Sequence, residues 1–336
     1  MKKALCFLLI FAVLPGILAG CKEPTSQSTD TTPTSITENP KTDFHYELSK
    51  DGDAVYITKY IGTAKDVVIP TQIDGLPVTS LKSSSNNSEI IGAFENSTIQ
   101  SVVIPESVVS IGPNAFWNCK ELTTVTVSKN LQTIASFAFT NCTKLKTIDL
   151  SKTQVAILWE GCFSNCTDLT EIHFPANLDR IDARAFYNCS SLTELHFPDS
   201  LTRIDEQAFE NCTSLKSVTI PTELSLFSIS KQVFVNIPAL EKLIFKEGRE
   251  SIDGYAFFDT TSNVEIYIPK SVTSFTPETF FIRGSAKVIF AGDCPKNKGN
   301  PTFYGDPTIY YDPSTAGWDT CPWKEHHPMK PITEIA

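Results

Sequence analysis

The segment LTELHFPDSLTRIDEQAFENC, Leu192 to Cys212, decides how this 336-residue chain is read. It opens with a short strand whose apolar residues, Leu195 and Phe197, fall on one side. Pro198 ends that strand, because proline brings no N–H to a ladder. Leu201, Ile204, Ala208 and Phe209 follow as a second set of apolar positions, and Asn211-Cys212 closes the unit. The Ala-Phe stretch is too short for a full helix and reads as a turn or a single helical or 3₁₀ turn.

The unit recurs along the chain. Its phenylalanine reappears as Phe94, Phe116, Phe139, Phe163, Phe186, Phe209, Phe234, Phe257 and Phe280, at spacings of 22, 23, 24, 23, 23, 25, 23 and 23 residues. A fixed period in the twenties is the signature of a solenoid rather than of successive globular domains. One unit cannot bury its apolar face alone, so neighbouring units must share a continuous core. Parallel strands about 4.8 Å apart give nine coils a stack on the order of 45 Å long. Stacking sets equivalent residues over one another. The phenylalanines become a column of rings, and Cys119, Cys142, Cys166, Cys189 and Cys212 become a column of small buried thiols. Ile237 stands at the cysteine position of a later unit, which fits packing and does not fit a ligand or nucleophile. The asparagine before each cysteine is read as a cap for turn backbone groups.

Outside the repeat, residues 1–20 read as a secretory leader, with Lys2 and Lys3 before an apolar run broken by Pro15 and Gly16. The run ends in Leu18-Ala19-Gly20-Cys21, which resembles the lipobox of bacterial lipoproteins. That resemblance implies cleavage before Cys21 and a diacylglycerol on its thiol, so the mature chain is anchored to a membrane and does not span it. Residues 21–42 are rich in Thr, Ser and Pro and cannot bury enough surface to order themselves. Such a tether holds the folded part about 25 Å from the membrane.

The repeats resemble the BspA-type leucine-rich repeats of bacterial surface proteins. The match rests on Ile/Phe-Pro, Leu-x-x-Ile, Ala-Phe and Asn-Cys-x-x-Leu, as in IPESVVSIGPNAFWNCKEL (104–122) and FPDSLTRIDEQAFENCTSL (197–215), and covers residues 90–290. Residues 43–89 look like the family's N-terminal cap, a hairpin and a first imperfect coil. Residues 291–336, with TIYYDPSTAGWDTCPW (308–323), look like its closing cap. The resemblance implies a right-handed, β-rich leucine-rich-repeat solenoid of the α/β class. Short parallel strands would line its concave face, and short turns or 3₁₀ segments its convex face. It also implies a non-enzymatic, adhesin-like protein on the bacterial cell envelope. Its partners would be host extracellular-matrix or plasma proteins such as fibronectin or fibrinogen, or another cell-surface macromolecule. Some coils depart from the pattern: LSKTQVAILWEGCF (150–163) carries an insertion, and the coils at Phe257 and Phe280 lack Asn-Cys.

The formal charge of −10 argues against a nucleic-acid partner, for which a basic stripe is expected. No phosphate loop, G-x-S-x-G or H-E-x-x-H motif occurs, and five histidines are a thin supply of general bases. No cofactor is expected, and the chain is read as a monomer. Candidate sites come from the outward positions beside the central residue of each strand. Two of these pairs, Glu171 with His173 and Glu194 with His196, fall on neighbouring strands. They are weak candidates for a metal site, the alternative being an open polar face. Later outward positions turn apolar among charges, giving Lys242, Ile244, Glu265, Tyr267, Lys287 and Ile289 as a candidate ligand patch. The alternatives are cover by loops or the C-terminal cap, or a slipped register that exchanges the two faces. A glycan-binding or envelope-scaffold role is the second functional reading, with Tyr267, Tyr310 and Trp318 available to stack on sugar rings. Cys294 and Cys321 lie outside the column and are a possible disulfide, which by loop entropy would contribute roughly 3 kcal/mol.

Overall fold

The computed structural model describes residues 37–86, 89–224, 233–252, 257–260, 263–275, 280–282, 285–296 and 303–335. The leader, Cys21 and most of the tether lie outside the described residues. Among those residues no helix is long and apolar enough to cross a membrane.

Each coil of the repeat has three walls. The first holds the longer strands, from Asp66–Val68 through Ser101–Val103, Thr124–Thr126, Thr147–Asp149, Glu171–His173, Glu194–His196 and Ser217–Ile220. It continues through Lys242–Phe245, Val264–Ile268, Ala286–Phe290 and Thr308–Tyr311 to Met329–Pro331. The ladders are parallel and in register with the repeat, as in Val125 opposite Val102 and Val218 opposite Leu195. Central residues point into the core and flanking ones point out. Pro105, Pro175, Pro198 and Pro269 each begin a turn whose carbonyl accepts the N–H three residues on, as Pro198 does from Leu201 at 3.2 Å.

The second wall is made of two-residue strands, Ser110–Ile111, Thr133–Ile134, Ile157–Leu158, Arg180–Ile181 and Arg203–Ile204, again parallel. The third wall is the Ala-Phe-x-Asn corner. It forms turns rather than helix, because two left-handed residues interrupt each copy from Phe116 to Phe209. One lies two residues before the phenylalanine: Asn114, Phe137, Gly161, Arg184 and Gln207, with φ between 56° and 60°. The other is the asparagine two residues after it, from Asn96 to Asn236, with φ between 55° and 64°. These φ values explain the asparagines better than capping does, since Asn tolerates the left-handed region best among residues with a Cβ. Their side chains also bond one another between coils, Asn188 Nδ2 to Asn165 Oδ1 at 2.9 Å and Asn236 Nδ2 to Asn211 Oδ1 at 2.7 Å. The corner backbone is turned so that its N–H groups run along the stack. Phe186 N–H donates to Ala208 O and Asn188 N–H to Glu210 O, both at 2.8 Å.

The core between the walls is the expected ring column. From Phe94 to Phe234, successive rings lie 4.9–5.4 Å apart and within 20° of parallel. All of these rings are buried, and Tyr60 of the N-terminal hairpin stacks on Phe94 at 5.2 Å. The five thiols of the cysteine column are free and fully buried. Each donates to the carbonyl of the column phenylalanine one coil back: Cys119 to Phe94 at 3.0 Å, Cys142 to Phe116 at 3.2 Å, Cys189 to Phe163 at 3.1 Å. Burial pushes their pKa up, to about 12 for Cys119 and Cys189.

The ends differ from the repeat. Phe44–Leu48 pairs antiparallel with Val55–Tyr60, which joins the second wall through Leu76–Leu81. Towards the other end, the turn corner becomes a ladder of short strands, Phe257–Thr260, Phe280–Ile282 and Phe303–Tyr304. Trp318 and Trp323 are buried and close over Phe290, at 5.2 and 5.5 Å between ring centroids. The 3₁₀ turns of the described residues lie in these flanks, at Lys41–Asp43, Trp318–Thr320, Pro322–Glu325 and Ile332–Glu334. The β-rich solenoid expected from the period is the fold of this chain.

Candidate binding face

The outer face of the first wall carries the side chains that the repeat leaves free to vary. Its register runs true to the end of the chain. Ile244 stands opposite Tyr267, Tyr267 opposite Ile289, and Ile289 opposite Tyr310. The parallel row beside it runs Lys242, Glu265, Lys287, Thr308. No slip exchanges the faces, so the candidate patch is contiguous.

Its accessibility is narrower than expected. Ile289 is 5% exposed and Tyr310 7%. Ile289 sits in register between Tyr267 and Tyr310 and is buried, so it is withdrawn as a contact residue. Tyr310 and Trp318 are withdrawn as sugar-stacking residues because both are buried. Ile244 and Tyr267 remain half-buried, with Lys242 exposed beside them. Tyr267 is held in place: its hydroxyl donates to Glu265 Oε2 at 2.9 Å, and Lys287 Nζ lies 3.5 Å from Glu265 Oε1. Burial first, then the hydrogen bond to Glu265, raises the phenol pKa. The result is an aromatic–aliphatic pair, its tyrosine anchored through the hydroxyl, edged by two lysines and a carboxylate.

The Glu–His pairs lie further back on the same face, around an open hollow of about 360 Å³ that also includes Ser151, Thr170 and Thr193. Each glutamate is engaged along its own strand: Glu171 lies 2.9 Å from His173 Nε2, and Glu194 3.1 Å from His196 Nε2. All four side chains are more than half exposed. Asp149 stands opposite His173, and its carboxyl is held below the usual range by the Ser151 hydroxyl and N–H, with His173 adding to the effect. Among the described residues no three His, Cys, Asp or Glu side chains converge as a metal-binding group. Glu171, His173, Glu194 and His196, the weak candidates for a metal site, are thus set out as two separate pairs. Pairing along each strand spreads the carboxylates over the face instead of gathering them.

One surface feature escaped the sequence reading. Trp159 and Phe137, on the second wall and its corner, are 39% and 37% exposed. The Arg180 guanidinium lies 5.6 Å from the Trp159 ring centroid, and its Nε is 2.6 Å from Asp182 Oδ1. Arg203 and Asp205 repeat that ion pair one coil on, also at 2.6 Å. Phe137 lies against Gly161, where a Cβ would stand 2.5 Å from its ring. Phe137 fills a corner position that is Asn114, Arg184 and Gln207 in other coils, so an apolar residue at a polar position was the available signal.

The family model of the BspA type Leucine rich repeat region matches residues 85–191 and 160–287, in six copies. Among solved structures, a T. pallidum leucine-rich repeat protein is 28% identical, with 65% of this chain and 86% of that one covered and a TM-score of 0.46. A leucine-rich cell surface protein from Faecalibacterium prausnitzii is 21% identical over 77% of this chain and 96% of that one, with a TM-score of 0.36. The pneumococcal vaccine antigen PcpA is 18% identical over 88% and 98%, with a TM-score of 0.46. Among curated proteins nothing matches.

Proposed function

This chain belongs to the BspA-type leucine-rich repeat proteins, and from that premise we propose that it is a non-enzymatic binding protein of the bacterial surface. The observation that carries the reading is the unbroken register of the first wall. It sets Ile244 and Tyr267 side by side on the outer face, with Lys242, Glu265 and Lys287 in the next row. Rigid aromatic and aliphatic anchors rimmed by charge are the usual composition of a protein-recognition centre. The ligand is a macromolecule, an adhesin's partner such as a matrix or plasma protein or another cell's surface. The leader and the lipobox-like run ending at Cys21 support attachment to the envelope through a lipid.

Residues 22–336, assayed against fibronectin, fibrinogen and a glycan array beside an Ile244→Ala, Tyr267→Ala variant, test the reading. Saturable protein binding that weakens at least tenfold in the variant supports it. Binding that is unchanged in the variant moves the site elsewhere.

A second reading, recognition of a glycan, is favoured by Trp159 and Phe137 rather than by the buried Tyr310 and Trp318. An exposed indole beside arginine and carboxylate groups offers a ring face for a sugar and polar partners for its hydroxyls. Glycan binding lost in Trp159→Ala but kept in Tyr267→Ala would select this reading.

A further inference from the structure

Cys294 and Cys321 are placed differently from the other cysteines. The column thiols each donate to a phenylalanine carbonyl of the preceding coil. The Cys294 thiol lies 3.8 Å from the carbonyl of the next residue, Pro295, and it faces Cys321 closely enough that Cys321 raises its pKa while it lowers that of Cys321. Contacts that do not involve sulfur bring them together. Cys294 N–H donates to Ala316 O at 2.9 Å, and Ala316 N–H donates to Asp293 Oδ1 at 2.8 Å. Thr315 Oγ1 and Trp318 Nε1 both donate to Gly292 O, at 3.0 and 3.2 Å. Gly317, at φ +85°, passes so close that a Cβ there would stand 3.3 Å from Cys294 Cβ. The 3₁₀ turn Trp318–Thr320 then brings the chain round to Cys321.

We propose that Cys294 and Cys321 form a disulfide when the exported chain meets a small disulfide oxidant, stapling the C-terminal cap to the strand Ala286–Phe290 of the binding wall. The backbone bonds hold the two segments against one another in the reduced state, which is the approach a disulfide requires. Access is one-sided. Cys321 is buried, whereas Cys294 lines an open hollow of about 500 Å³ with Lys270, Asp293 and Lys296. The two lysines favour an anionic oxidant such as glutathione disulfide. The pair gives up its first proton, Cys294 passes its own to Cys321, and the accessible Cys294 sulfur attacks one sulfur of the oxidant, breaking its S–S bond and releasing one small thiolate. Cys321 then gives up its proton, attacks the Cys294 sulfur of the mixed disulfide and expels the second small thiol. Two protein thiols are oxidised, and one disulfide is reduced to two thiols. The proposal is independent of what the outer face binds.

The test is peptide mapping of the full chain, without reduction, after equilibration with glutathione disulfide, together with thermal melts. The expected result is a linked pair of peptides containing Cys294 and Cys321, with a melting rise of about 5 °C over the reduced protein. Cys294→Ser and Cys321→Ser should each abolish both the link and the rise. Two results overturn the proposal: Cys294 held as a glutathione adduct with Cys321 still alkylated on denaturation, or a linked wild type whose melt matches the reduced protein.

Discussion

The Cys189 thiol donates to the carbonyl of Phe163, 26 residues earlier and one coil back, at 3.1 Å. The same carbonyl also accepts the N–H of Cys166 in its own coil, at 3.3 Å. One cysteine position thus fills the core and ties successive coils, which answers what a recurring buried thiol is for. A thiol kept neutral by burial is a poor nucleophile. Ellman's reagent should leave the column cysteines untouched in the native protein and react with them on denaturation.

The same burial fixes a pH dependence. The Cys189 pKa is raised in the fold to about 12 by burial. The native state therefore holds a proton that the unfolded state releases at lower pH, and stability falls as pH rises from about 9 towards 12. Cys119 behaves likewise. Urea midpoints should drop over that interval, and a Cys189→Ala variant, though less stable at neutral pH, should show a shallower drop.

Phe186 lies between Phe163 and Phe209, 5.4 and 5.1 Å from each, and is fully buried. Phe186→Ala should cost roughly 3–5 kcal/mol by removing a ring from mid-column. Unchanged denaturant unfolding would show that the rings do not carry the core at that coil.

Gly161 and Phe137 form a coupled pair. Gly161→Ala adds a Cβ 2.5 Å from the Phe137 ring at a residue with φ +60°. It should cost about 1–3 kcal/mol through crowding and backbone strain. Phe137→Ala removes the crowding but not the strain, so a double-mutant cycle should recover part of the loss.

Cys21 is the proposed lipid attachment point. Cells fed a labelled fatty acid should label the wild-type protein and not Cys21→Ser, and the variant should leave the membrane fraction. Equal labelling of both would remove the anchor.

Much of this architecture was legible in sequence because stacking repeats it. Phe94 to Phe234 recur at nearly constant spacing, so one unit's inward residues identify the others, and the register of Ile244 with Tyr267 followed. Properties set by neighbouring coils were not legible. Ile289 occupies an outward position, in register with Tyr267 and Tyr310, yet is buried. The left-handed positions Asn114, Phe137, Gly161, Arg184 and Gln207 share a backbone conformation and no side-chain chemistry, so nothing in their identities marks them as one set. The Glu–His pairs resemble a ligand set in sequence, and only the geometry shows each carboxylate spent along its own strand.

The most direct test of the central claim compares three forms of residues 22–336 against the same panel of matrix proteins, plasma proteins and glycans. These are the parent, Ile244→Ala with Tyr267→Ala, and Trp159→Ala with Phe137→Ala, each first shown to unfold as the parent does. The account predicts that a protein ligand binds the parent and the Trp159 variant alike, and binds the Tyr267 variant at least tenfold more weakly. Equal binding by the parent and the Tyr267 variant would contradict a binding site on the late part of the first wall.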